Sequence, residues 1–163
     1  MANRLLSIYL NDHLAGATAG VELARRARGS NRESTDLGEP LADLCAEIEA
    51  DRGTLERMMR ELGVRRDPLK VKAGWLGEKL GRLKLNGQLR GYSPLSRVVE
   101  LEGLTLGIGG KVELWRTLQR ALGDQWHGFD FVALAERALR QRETADELQS
   151  LAVGVMLSAE SPG

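Results

Sequence analysis

One cysteine, few aromatic residues, no net charge and no long apolar run: each shortage removes a class of protein. Cys45 is the sole cysteine in 163 residues, so no intrachain disulfide forms and a disulfide-stapled secreted fold is excluded. Phe, Trp and Tyr make up 4% of the chain, and β-branched runs are few, while Leu and Ala abound. That balance favours helices over sheets. Lys plus Arg and Asp plus Glu both number 23, so the basic excess of a nucleic-acid-binding domain is missing. No stretch approaches the ~18 apolar residues of a membrane span. The apolar part of MANRLLSIYLNDHL is too short for a signal-peptide core. The expectation is one soluble, cytoplasmic domain, residues 1–163, long enough to bury a genuine core.

Turn formers divide the chain into four segments with helical periodicity. Leu6, Leu10, Leu14, Ala17, Val21 and Ala24 predict a helix over about 4–28, ended by GSNRESTDLGEP. Leu41, Leu44, Ile48, Leu55, Met58 and Leu62 predict a second over 40–62, with Pro40 in its first turn and Gly63 as its cap. Ser93-Pro94 opens the third, 94–122, whose stripe is Leu101, Leu104, Ile108, Val112, Trp115, Leu118 and Leu122. Asp130 caps the fourth, 130–157, with Leu134, Ala138, Ala145, Leu148, Ala152 and Val155 inward. Residues 64–92 form a long crossover between the second and third helices. Their stripe Leu69, Ala73, Leu76, Leu80 and Leu83 predicts a short extra helix. The fold class is all-α.

LEGLTLGIGGKVELW, residues 101–115, places four glycines and a lysine in nine residues. A phosphate loop would need Ser or Thr after Gly-Lys, and a dinucleotide loop a third glycine; Val112 stands at both positions. A helix explains the spacing better. Gly103, Gly107 and Gly110 share one flank, as Gly16 and Gly20 do on the first helix and Ala135, Ala138, Ala145 and Ala152 on the fourth. Each interior glycine costs roughly 1 kcal/mol relative to alanine. Close helix–helix approach would offset that, as would a ligand or partner helix along the glycine flank. Small-residue faces of this kind also make a homo-oligomer an expectation.

Four helices of this length with the long connection in the middle resemble the ferritin-like four-helix-bundle superfamily, and within it an uncharacterised bacterial member without the metal motif. For metal-bearing members the resemblance implies a di-iron or di-manganese site, built from an inward Glu on each of two helices and Glu-x-x-His on each of the others. This chain has no Glu-x-x-His; its nearest approach is Glu143-x-x-Asp146, and its histidines are His13 and His127. Glu136, Glu143 and Glu147 fall opposite the stripe of their helix, and Glu102 and Glu113 lie outside with Arg116 and Arg120. Glu22 joins Arg4, Asn11, Arg25 and Arg26 on the polar side of the first helix. No metal and no cofactor is expected.

Helical phase turns another set inward. His13 lies in the first helix's apolar arc, and Asp51 takes an apolar slot between Ile48 and Leu55. Lys111 and Glu100 border the stripe of the third helix, and Gln141, Arg142 and Gln149 that of the fourth. An unpaired buried charge costs several kcal/mol, so Asp51 calls for a partner, Lys111 or Arg142. Such a pair fixes helix register, or it forms a pocket for a small anion or polar metabolite. Separately, Arg65, Arg66, Lys70, Lys72, Lys79, Arg82, Lys84 and Arg90 face only Asp67 and Glu78 over 64–92. This basic surface is a solvated face or a docking site for an acidic protein or anionic surface; nucleic acid lacks the interleaved aromatics and recognition motif it needs.

These readings make the chain a non-catalytic binding or interaction protein without a functional di-metal site. The alternatives are a divergent di-metal carboxylate protein, and a metal-free helical enzyme using the Asp51/Lys111 region.

Overall fold

The structure, a computed structural model, describes residues 4–67, 92–123, 126 and 128–159. Among them stand four α-helices and no strand: α1 (Arg4–Asn31), α2 (Gly38–Glu61), α3 (Pro94–Leu122) and α4 (Phe131–Ala159). The extra helix expected between α2 and α3 lies outside the described residues.

The ends of the helices follow local chemistry. Ser93 Oγ accepts from the Ser96 amide at 3.1 Å ahead of Pro94, and Asp130 Oδ1 accepts from the Ala133 amide at 2.9 Å. Gly63 has φ 67°. The amides of Gly63 and Val64 return to the carbonyls of Arg60 and Met59 at 3.0 and 2.8 Å, the bond pair of a left-handed helix stop. Two boundaries differ from expectation. α1 continues through Gly29 and Ser30 to Asn31, whose Nδ2 donates to the Ala27 carbonyl at 2.7 Å and to Tyr92 Oη at 2.8 Å. α2 starts at Gly38 rather than Pro40 because the turn closes tightly: a Cβ at Gly38 would stand 2.9 Å from the Arg32 carbonyl oxygen.

Paired residues give the helix directions. Arg25 Nε meets Glu49 Oε1 at 2.6 Å and Asn11 Nδ2 meets the Arg65 carbonyl at 3.0 Å, so α1 and α2 are antiparallel. Arg26 meets Glu100, and Asn31 meets Tyr92 just ahead of α3, so α1 and α3 are antiparallel too. Glu47 and Asp51 on α2 meet Gln141 and Arg137 on α4, again antiparallel. The run is therefore up, down, down, up, with α2 parallel to α3.

The predicted stripes form the core. Leu10, Leu14, Leu41, Leu55, Met58, Leu101, Leu118 and Trp115 are all but inaccessible, and each such side chain stabilises by about 1.5–3 kcal/mol on burial. The most extensive contact is between α3 and α4. Ala138, Ala145 and Ala152 are fully buried, so the small-residue face of α4 is used within the chain. Val155, expected inward, is exposed near the end of α4. Asn11, expected in solvent, is buried: its Oδ1 accepts from the Asp67 amide at 2.7 Å and its Nδ2 donates to the Arg65 and Ser7 carbonyls.

The glycines behave differently from a close-packing seam. Of the flank glycines of α1 and α3, only Gly103 meets a described neighbour closely, with Leu23 Cδ2 3.0 Å from where its Cβ would be. At Gly16, Gly20, Gly107 and Gly110 an added Cβ would touch nothing within 4 Å. Close approach of the described helices does not explain these four.

Candidate functional site

Asp51 is the centre of a polar knot between α2, α3 and α4. It is 2% exposed. Lys111 Nζ donates to its Oδ2 at 2.6 Å, Arg137 Nη2 donates to Oδ1, and Gln141 Nε2 donates to Oδ2 at 3.0 Å. Gln141 ties the group together: its Oε1 accepts from Lys111, and its Nε2 also donates to Glu47 Oε2 at 2.8 Å. Burial pulls the Lys111 ammonium below its ordinary value, against the pull of Asp51. A buried carboxylate is tolerable here because two cations and an amide share it.

The expected partner Lys111 is present, and Arg142 is not. Arg142 is exposed and reaches over Gly109 instead. The second cation is Arg137, which helical phase places beside the solvated Glu136. Its side chain, 34% exposed with Nε buried, extends back across the helix face to Asp51. Periodicity locates a Cα, and a long side chain can cover a face its Cα does not occupy.

Glu100 is as deeply buried as the core, 0% exposed, but about three turns of α3 from Lys111. It forms a separate knot. Tyr92 Oη donates to Glu100 Oε2 at 2.8 Å, and Asn31 Nδ2 donates to Tyr92 Oη. Arg26 Nε stands 2.6 Å from Oε1 without the alignment of a hydrogen bond, so that contact is Coulombic. Burial pushes the Glu100 carboxyl up and the Tyr92 phenol up to about 12. The two knots serve different helix pairs, and the single inward cluster of the sequence is in fact two.

His13 belongs to neither. Its ring meets Tyr9 edge-on at 4.5 Å, and burial lowers its pKa, with Asp12 opposing. It lines a cavity of about 270 Å³ between α1, α2 and α3. Gly16 and Gly20 of α1 face Gly107 and Gly110 of α3 across it, with Ile48 and Leu55 of α2 on the third side. Lys111 and Asp51 form part of its wall, as does Trp115, whose buried indole N–H has no acceptor among the described residues. The lining is mainly apolar with a few convergent polar groups, which is the make-up of a small-molecule site.

Carboxylates do not gather in the bundle. Glu102, Glu113, Glu136, Glu143 and Glu147 are exposed, and Glu113 pairs with Arg116 at 2.8 Å. Among the described residues, no three His, Cys, Asp or Glu side chains stand together in a way that could hold a metal ion. Of the basic surface, Arg65 and Arg66 are exposed, and Arg66 pairs with Glu56 at 3.2 Å. Lys70, Lys72, Lys79, Arg82, Lys84 and Arg90 lie outside the described residues. No described helix is long and apolar enough to cross a membrane. Comparison with protein-family models, curated proteins and solved structures finds no match to this chain.

Proposed function

We propose that this chain is a non-catalytic binding protein, ferritin-like in architecture, whose ligand occupies the cavity between α1, α2 and α3. The up-down-down-up order of its helices supports the ferritin-like reading, in which residues 64–92 cross the length of the bundle. One observation carries the binding role. Four helical glycines bound an apolar cavity that no described side chain fills, although alanine would fit at each with nothing within 4 Å among the described residues. At roughly 1 kcal/mol per interior glycine, a bundle built only for stability would have alanine there. Open glycine flanks suit a ligand that lies against the backbone.

The test is blockade. Gly107→Leu places a side chain in the cavity, one helical turn from Lys111. Ligand-observed NMR against a fragment collection should find small apolar and amphiphilic binders for the natural chain and lose them in G107L. Binders that persist unchanged in G107L, or a collection without a hit, would overturn the reading. If the natural chain sediments as a dimer and G107L as a monomer, the cavity's occupant is a helix of a second copy instead.

A further inference from the structure

The wall of the cavity also selects the chemistry of its ligand. An ammonium carries three N–H groups; Lys111 spends two on Asp51 and Gln141, and its side chain stays 14% exposed on the cavity wall. Its bonded counter-ion is shared: Asp51 is one buried carboxylate between Lys111 and Arg137, and the next acid, Glu47, is exposed and acts on Lys111 through space. At low local dielectric a cation with a spare N–H attracts an anion much more strongly than it would in water. On the same wall Arg52 pairs with Glu56 at 3.0 Å, and Asp12 reaches solvent. One helical turn beyond Lys111, on the same face of α3, Trp115 is wholly buried and its indole N–H lacks an acceptor among the described residues. An unsatisfied buried donor favours an acceptor and repels a cation. The remaining wall is hydrocarbon and glycine backbone.

We propose that the cavity takes a carboxylate with an apolar body, the head accepting from Lys111 Nζ with the Trp115 indole N–H as second donor, and the body lying along the glycine flanks of α1 and α3. The inference rests on the cavity being the ligand site.

Three probes of equal length separate the possibilities: octanoate, octan-1-ol and octylamine, titrated into the full chain at pH 7 by isothermal calorimetry. Octanoate should bind at least tenfold more tightly than octanol, with octylamine weakest. Lys111→Met should bring octanoate to the level of octanol and leave octanol unchanged, while Trp115→Phe should weaken octanoate severalfold. Equal affinity for acid and alcohol, both lost in G107L, would overturn the carboxylate and leave the cavity reading intact. If none of the three binds, or if G107L binds as the natural chain does, both readings fall. Should K111M not fold, the acid-to-alcohol ratio of the natural chain and the W115F titration decide the matter.

Discussion

Replacing Asp51 by alanine tests the centre of the bundle. The carboxylate is 2% exposed and receives three donors from two other helices. Removing it frees them unequally. The Arg137 side chain, 34% exposed, turns toward water at little cost. Gln141 keeps Glu47 and Lys111. Lys111, with 14% of its side chain exposed, loses its bonded counter-ion and keeps one amide oxygen and the through-space pull of Glu47. Removing one partner of a buried pair costs about 3–5 kcal/mol, and with Arg137 largely relieved the lower half of that range applies. A loss of about 3–4 kcal/mol corresponds to a Tm lower by about 10 °C in a chain of this size. The assay is urea unfolding at pH 7, followed by helical circular dichroism, with the m-value checked for constancy. The double variant D51L/K111M removes both charges and should recover most of the loss, because an apolar pair replaces a buried ion pair at little cost. Coupling between the two sites should then reach about 2 kcal/mol. A loss below about 1 kcal/mol for D51A, or a double variant no better than D51A, would refute a buried, coupled pair.

Three further outcomes follow from the same geometry. Gly107→Ala and Gly110→Ala should each raise stability by about 0.5–1 kcal/mol, since each Cβ enters open space in a helix interior; Gly103→Ala, facing Leu23 Cδ2 at 3.0 Å, should gain less or lose, and destabilisation at 107 and 110 in chemical denaturation would restore the close-packing explanation. Asn11→Ala should lower stability by about 2 kcal/mol, because it orphans the Arg65 carbonyl and the Asp67 amide that hold the exit of α2 against α1; amide hydrogen exchange at 65–67 should accelerate with it. Glu100→Gln tests the second knot through pH. The folded carboxyl holds its proton to higher pH than the unfolded one, so above the ordinary 4.5 the native state binds more protons and stability falls as pH rises through the folded value. The stability of the natural chain relative to E100Q should therefore be greatest near pH 4.5 and decline toward neutrality; urea midpoints moving the other way would show that Arg26, and not burial, dominates.

Much of the bundle was legible because helical periodicity reports burial directly. The stripes of α2 and α3 are buried nearly throughout, and Ser93-Pro94, Asp130 and Gly63 mark ends by local chemistry that needs no tertiary partner. Asp51 was legible for the same reason: a charge in an apolar slot demands a partner, and Lys111 was one of two side chains phased to supply it. Errors arose where a side chain reaches away from its own phase. Arg137 and Arg26 sit on polar flanks and extend to buried carboxylates, and Asn11 turns from an apparently solvated face to hold the chain after α2. The end of α1 was misplaced because Gly29, Ser30 and Asn31 read as breakers, whereas Tyr92 from 61 residues away accepts the Asn31 amide and holds the last turn.

By itself the sequence determined the four long helices, the stripes that make the core, and the need for a counter-ion at position 51, because all three depend on residues a few positions apart. Tertiary structure alone decided that Asp51 and Glu100 belong to separate knots, and that Arg137 rather than Arg142 completes the first. It also decided what the glycines do. A flank of Gly103, Gly107 and Gly110 has the same spacing whether a helix presses against it or a cavity opens beside it. The difference lies in how far away the facing helix stands, a distance set by side chains on three helices at once and therefore absent from any local pattern.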